Sequence, residues 1–357
     1  MEKKLNLAII GQGRSGKDIH GRYCRSDLNI YYNVKYVVDF DEHRRKVAEE
    51  IYPGCTTFAD YRELFKLDDV DLVVNASYSD MHYEITKDLL EHGKNVLSEK
   101  PFAKTRYECD VLINTAKKKG VVLAVFQNTQ TAPYYQHALK LIKDGVLGDV
   151  KQVSIRFNGF ARRWDWQTLQ KKVAGSAYNT GPHPIAMALG FLDFDQKSKV
   201  LYSKLDTALT SGDSDDYVKI LLGAPNKPLV DVEINSTDAF SDYNIKIQGS
   251  KGTLKSSVGK YSLKYIVDGE NPERAVIEES LQDENGNPIY CSEKLNIHEE
   301  SGEYAGNPFD VGADIIYRNV YDAITKGTEL IVPTWQSAMT IGVIETAHAE
   351  NPLPVKF

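Results

Sequence analysis

Residues Leu5 to Gly16 read LNLAIIGQGRSG and run directly into KDIHGRYCRS. The apolar run has the length and content of a buried strand, and glycines at 11, 13 and 16 then open a helical pattern. Gly11 permits the tight turn, Gly13 lets the backbone approach a pyrophosphate with no Cβ in the way, and Gly16 allows close packing of helix on strand. The helix N-terminus offers free N–H groups to phosphate oxygens, which brings Gln12, Arg14 and Ser15 into the same candidate cofactor site. Asp39 closes the next apolar run, KYVVDF, about 20 residues on, where a carboxylate accepts hydrogen bonds from an adenosine ribose. An acid at that position repels a 2′-phosphate, so NAD is the expected cofactor. Arg44 and Arg45 keep NADP open, although they read equally well as a solvated helix face.

Outward from this turn, the runs LNLAII, KYVVDF, DLVVNAS, NVLSEKP and VVLAVFQN alternate with helical patterns such as HYEITKDLLEHG and RYECDVLINTAKKKG. That rhythm predicts α/β structure, a doubly wound parallel sheet of Rossmann type, over a cofactor domain at 1–128. Ligands of such sheets lie beyond the carboxyl ends of the strands, so Gly11, Asp39, Ser77, Lys100 and Asn128 are expected to converge on one edge, with Tyr78 beside Ser77. After residue 150 the strands KQVSIRFN, VLYSKLDTA, DYVKILL, LVDVEINS, NIKIQG and YSLKYIV follow one another directly. They predict an α+β second domain at 129–357 on a large, mainly antiparallel open sheet. A helical insertion is expected from about Trp164 to Leu192 and a long helix from about Val311 to Lys326, while Gln282 to Gly306 reads as exposed loop.

The chain has 357 residues, a net charge of -7 and four cysteines without metal-ligand or redox spacing. Two domains, reduced thiols and a cytoplasmic location are expected. The acidic balance argues against nucleic acid, no apolar run is long enough to span a membrane, and the histidines show no metal spacing, so no metal is expected.

Asn95 to Pro101, NVLSEKP, places Glu99 and Lys100 on the edge where a nicotinamide would lie. A lysine there can bond a substrate hydroxyl and serve as acid or base. GQGRSG, the EKP triplet, the upstream His82 and the downstream KDGVLGDV together resemble the glucose-fructose oxidoreductase, inositol dehydrogenase and rhizopine catabolism family, Gfo/Idh/MocA. IQGSKGTL at Ile247 to Leu254 resembles that family's glycine turn between two sheet strands. The resemblance covers essentially the whole chain. It implies a cis peptide before Pro101, a substrate cleft between nicotinamide and sheet, and homodimers or homotetramers built through the C-terminal sheet.

The family's second motif corresponds to GSAYNTGPHPIA, Gly175 to Ala186, in which His183 matches. Asn179 stands where an aspartate is usual, and Ala186 replaces a further aspartate. Asn179 and the neighbouring Thr180 can exchange hydrogen bonds with a substrate, but an amide cannot relay a proton. His183 is therefore either a catalytic acid or base working with Lys100 or a neutral group that orients substrate. The arginine pair that family members carry after the fifth strand is replaced by QNTQ at Gln127 to Gln130. Trp164 and Trp166, in RRWDWQTLQ, are candidate pocket walls for the C–H faces of a sugar, with Arg163 as a polar contact. His82 is expected to support the cofactor loop.

These residues predict an NAD-dependent oxidoreductase that moves hydride between nicotinamide and a secondary alcohol carbon of a sugar, cyclitol or derivative. A lyase, isomerase or glycosidase using transient oxidation without net NAD turnover is the second reading, and a non-catalytic dinucleotide sensor the third.

Overall fold

The structure, a computed structural model, describes residues 3–357. Six strands form the first sheet: β1 (Leu5–Ile10), β2 (Tyr32–Val38), β3 (Thr56–Phe58), β4 (Leu72–Asn75), β5 (Val96–Ser98) and β6 (Leu123–Val125). Their order is β3-β2-β1-β4-β5-β6 and every pair is parallel. The order reverses between β1 and β4, which opens a crevice at the carboxyl ends of those two strands.

Successive residues of each strand go to opposite faces, as the pleat requires. Ala8, Ile10, Val73 and Val96 join one buried cluster, while Leu7, Ile9, Leu72 and Val74 join another. Burial on both faces is why these strands read as continuous apolar runs. The second cluster is completed by Tyr317, Val320 and Tyr321 of the helix Pro308–Lys326. Tyr317 stacks on Tyr23 at 4.2 Å, and its carbonyl accepts from the Tyr32 hydroxyl at 2.8 Å. The far end of the chain thus supplies part of the helical cover of the first sheet.

The second sheet holds β7 (Val150–Arg156), β8 (Lys199–Asp206), β9 (Tyr217–Gly223), β10 (Leu229–Asn235), β11 (Ile245–Gly249), β12 (Gly252–Ser256), β13 (Lys260–Tyr265) and β14 (His298–Glu303). It runs β14-β13-β12-β11-β7-β10-β9-β8, antiparallel except where β7 meets β10. Its inner face, including Val153, Ile220, Val232 and Ile247, shares a core with Ile185 and Met187 of the helix Pro182–Phe191 and with Ile341 and Ile344 of the helix Thr334–Glu350. The middle of the outer face carries Arg156, Lys219, Asp231 and Glu233 in one ion-paired group.

Three elements depart from the sequence reading. The stretch read as loop, Gln282 to Gly306, contains β14, whose residues HEESGE are mostly polar because this edge strand packs no face into the core. The helix Thr334–Glu350 goes unannounced, since apolar residues surround it and leave no 3.6-residue stripe to read. The insertion expected as one helical stretch breaks into short turns at Trp166–Thr168, Gln170–Lys172 and Ser176–Asn179 before a helix begins at Pro182. Among the described residues no helix is long and apolar enough to cross a membrane.

Candidate functional site

The glycine turn leaves β1 with Gly11 at φ +87°, where a Cβ would stand 2.3 Å from the Ala76 carbonyl oxygen. A Cβ on Gly16 would lie 1.7 Å from the Gly11 oxygen, so the helix and the turn touch through backbone alone. Gly13 is different: its nearest neighbour would be Arg44 Nη1 at 4.0 Å, which leaves its face open. The helical run starting at Arg14 has no side-chain cap, so its first N–H groups remain for a ligand. Its opening turns are wound wide, with the Gly21 N–H bonded to the Gly16 oxygen.

Asp39 fastens this turn to the end of β2. It is buried, and its two oxygens accept from the Gln12 N–H at 2.7 Å and the Asp41 N–H at 2.9 Å. Each oxygen keeps a further lone pair for a ribose hydroxyl. Arg44 Nη1 stands 3.7 Å from Asp39 Oδ2 at the mouth of the same crevice.

At the end of β5 the Lys100–Pro101 peptide is cis, as the family resemblance implied. Glu99 is buried; one carboxylate oxygen meets His20 Nε2 at 3.0 Å and the other accepts from the Lys100 N–H at 3.0 Å. Burial alone would raise this carboxyl, yet the His20 hydrogen bond and the nearby Lys100 charge hold it below the usual carboxylate range. His20 Nδ1 in turn lies 2.7 Å from the Tyr317 hydroxyl. The glycine-turn helix, the EKP segment and a helix from the far end of the chain are thereby joined through one buried histidine. His82 contacts the Pro101 carbonyl at 2.7 Å and the Ser77 carbonyl at 3.2 Å, bracing the segments after β4 and β5. Asn75 accepts from the Ser77 hydroxyl at 2.7 Å.

The second domain meets this edge through Asn179. Lys100 Nζ donates to the Asn179 backbone oxygen at 3.0 Å, and Asn179 Nδ2 donates to the Gln167 carbonyl at 2.9 Å. Asn179 Oδ1 is left without a partner. His183 Nδ1 lies 2.9 Å from the Thr129 hydroxyl. Burial, reinforced by the Lys100 ammonium, pushes the His183 ring down to about 3, so it is neutral across the physiological range.

A cleft of about 560 Å³ runs over these groups. Gly11, Gly13, Arg14, Ser15 and Asp39 line one end; Ser77, Tyr78 and His82 line the middle; Glu99, Lys100 and Asn179 lie toward the second domain. Arg163 and Trp166 also border it, Trp166 standing edge-on to Tyr78 with ring centroids 4.8 Å apart. Gly16 and Gln12 serve the turn from behind, and Thr180 lines an adjoining pocket. Three expected members are not brought there, and one of them, His183, is turned to Thr129 and lines neither the cleft nor the adjoining pocket. Trp164 is 80 % exposed, because the strand-less segment after β7 carries it outward, so it forms no wall of the cleft in this chain. Asn128 is buried away from the cleft in a single helical turn whose carbonyl backs onto Gly312. Arg45 turns back to the Asp39 and Phe40 carbonyls.

Sequence reasoning missed His20 and Thr129. His20 lies four residues after Gly16 on the same helical run, a spacing that places both toward the sheet. Thr129 gave no signal, since its partner is 54 residues away.

Burial fixes an acid limit on stability. His82 and His348 are also pushed down by burial, His348 to about 4, whereas burial pushes Asp215 up to about 7. Between pH 7 and 5 the unfolded chain takes up protons on two rings, His183 and His348, that the folded chain refuses, while the folded chain gains one on Asp215. Unfolding therefore becomes easier as pH falls through that window. Thermal melts should show Tm decreasing from pH 7 to 5, more steeply in Asp215→Asn; a Tm that rises toward pH 5 contradicts neutral buried rings.

A parallel sheet with an open glycine turn, facing an antiparallel sheet across a polar cleft, defines a two-domain dinucleotide-binding protein. The chain matches the oxidoreductase family's NAD-binding Rossmann fold over residues 5–127 and that family's C-terminal alpha/beta domain over residues 139–350. It belongs to the Gfo/Idh/MocA oxidoreductase family. Its relatives include a 2,7-anhydro-N-acetylneuraminate hydratase of Mediterraneibacter gnavus, 26% identical over 82% of this chain and 78% of that protein. The scyllo-inositol 2-dehydrogenase (NADP(+)) IolW of Bacillus subtilis is 23% identical over 96% of this chain and 92% of that protein. GenD2 from gentamicin A biosynthesis, solved in complex with NAD, shares the fold with a TM-score of 0.77 at 20% identity over 98% of this chain and 94% of that one.

Proposed function

We propose that this protein is an NAD-dependent dehydrogenase of a secondary alcohol carbon in a sugar, cyclitol or derivative, with Lys100 handling the hydroxyl proton. The observation that carries the reading is the hydrogen bond from Lys100 Nζ to the Asn179 oxygen, because Asn179 borders both the cofactor cleft and the adjoining polar pocket.

The residues present fit the cofactor. Gly13 leaves open the space that a pyrophosphate needs, the uncapped helix start supplies donors, and Asp39 has acceptors for a ribose. The buried carboxylate favours NAD over NADP, while Arg44 beside it is a group suited to a 2′-phosphate. When bound, nicotinamide supplies hydride acceptance or return at C4. Lys100 can exchange its Asn179 contact for a substrate hydroxyl and take or return that proton. His183, neutral, bonded to Thr129 and outside the lining of both cavities, carries no charge to the site, so the proton falls to Lys100. Asn179 positions the ring through its amide.

The test is incubation with NAD and a panel of sugars and cyclitols, following nicotinamide absorbance and analysing products by mass spectrometry. Reduction with at least one compound is expected. Product formation without net reduction would instead favour transient oxidation, the reading to which the hydratase relative lends weight. Neither change, with NAD measurably bound, would overturn the proposal.

A further inference from the structure

The cofactor cleft has a wall from each domain, and an ion pair ties the two walls together. On the first-domain side Tyr78, Ser79 and Met81 line it, around the single turn Ser79–Met81 that follows β4. On the second-domain side Asp165, Trp166 and Gln167 line it, just ahead of the turn Gln170–Lys172. Between the two turns Lys172 Nζ donates to Asp80 Oδ2 at 2.9 Å and stands 5.3 Å from the centre of the Tyr78 ring. Neither Asp80 nor Lys172 lines the cleft itself.

Three observations set this contact apart from an ordinary surface pair. Asp80 Oδ1 is buried without a hydrogen bond, so Lys172 is the group that compensates the carboxylate. With side chains 24 % and 33 % exposed, the pair is also partly shielded from water. The turn that carries Lys172 is anchored on its own domain, where Asp213 Oδ1 accepts from the Gln170 N–H at 2.9 Å and the Asp213 carbonyl accepts from Gln170 Nε2 at 2.8 Å. Lys172 therefore moves with the second domain, and parting the walls breaks the pair. The residue after it, Val173, is buried at φ +51°, in the left-handed region. A β-branched residue held there is costly and persists where its surroundings demand it, as they do at clamps and switches.

We infer that Asp80 and Lys172 form a clasp that gates the cofactor cleft, slowing both the entry and the exit of the dinucleotide without touching it. The inference rests on the dinucleotide-binding reading of the cleft and is independent of which alcohol is oxidised. Because neither side chain contacts the cofactor, the clasp sets the barrier to passage and leaves the affinity nearly alone.

Stopped-flow fluorescence of NADH on the full chain, with NADPH alongside, tests it: mixing gives the association rate, and displacement by excess oxidised dinucleotide gives the dissociation rate. Lys172→Met keeps the stem against Tyr78 and removes the charge, while Asp80→Asn removes its partner. Each should raise both rates about three- to tenfold, between the worth of an exposed ion pair and that of a buried charged hydrogen bond, with Kd changed by less than about twofold. The double variant should be no faster than the faster single one, because both remove the same link. Lys172→Arg keeps the charge and should stay close to wild type. Unchanged rates in both single variants, single effects that multiply in the double, or Lys172→Arg as fast as Lys172→Met overturn the clasp. A Kd that weakens in step with dissociation, at unchanged association, makes Lys172 a cofactor contact and overturns the gating. Failure of the wild-type chain to bind either nucleotide overturns the cofactor reading on which the clasp rests.

Discussion

Lys100→Met should lower turnover by about 10²- to 10⁴-fold, the usual worth of a positioned acid or base, while NAD binds with nearly unchanged affinity. Methionine keeps an unbranched chain of similar reach and removes the ammonium alone. The Asn179 carbonyl loses its donor, at a stability cost of about 1 kcal/mol. The separation arises because Lys100 lies toward the second-domain end of the cleft, whereas the turn residues that would hold the pyrophosphate lie at the other end. Steady-state rates with any substrate from the panel, together with a fluorescence titration of NAD, check both halves. Turnover equal to wild type would refute the role assigned to Lys100.

The glycine turn yields the second large effect, as a contrast between two alanine substitutions three residues apart. Gly16→Ala places a methyl 1.7 Å from the Gly11 carbonyl oxygen and 2.8 Å from its carbon, backbone atoms that cannot yield as the end of a flexible side chain would. Helix and strand must separate, at a cost of about 3 kcal/mol or more, so the variant should melt much earlier or fail to fold. Gly13→Ala meets nothing nearer than 4.0 Å and should melt like wild type. Its methyl instead occupies the open side of the turn, and NAD affinity should fall about tenfold or more, as expected when a phosphate loses its close backbone approach. Differential scanning fluorimetry with and without NAD separates the two. A Gly13→Ala protein that binds NAD normally would remove the turn from cofactor binding.

The parts of the site carried by local sequence were legible. A strand ending in Gly11, the acid closing β2 and the EKP triplet closing β5 each announce themselves within a few residues, because strand, turn and helix start are short-range events. The cis peptide before Pro101 came from the family resemblance rather than from any pattern in the residues. Long-range partners were not legible. Thr129 beside His183, Tyr317 beside His20 and Asp215 beside the Asn179 turn join segments that share no periodicity. Trp164 and Trp166 show the same limit at short range: two residues apart in one aromatic pair, one borders the cleft and the other is exposed to solvent. The irregular segment that carries them has no repeat from which their directions could be read.

From sequence alone came the parallel sheet with its glycine turn, the antiparallel second half and the place of Lys100 at the end of a strand, because backbone propensity and side-chain alternation are encoded residue by residue; His183 was singled out by the family resemblance. Tertiary structure decided the rest: that His183 is neutral, that it turns to Thr129 outside the lining of the cleft, and that Lys100 is tied to the second domain through the Asn179 carbonyl. Those properties depend on desolvation and on which hydrogen bonds are already spent, and both are set by residues that only the folded chain brings together.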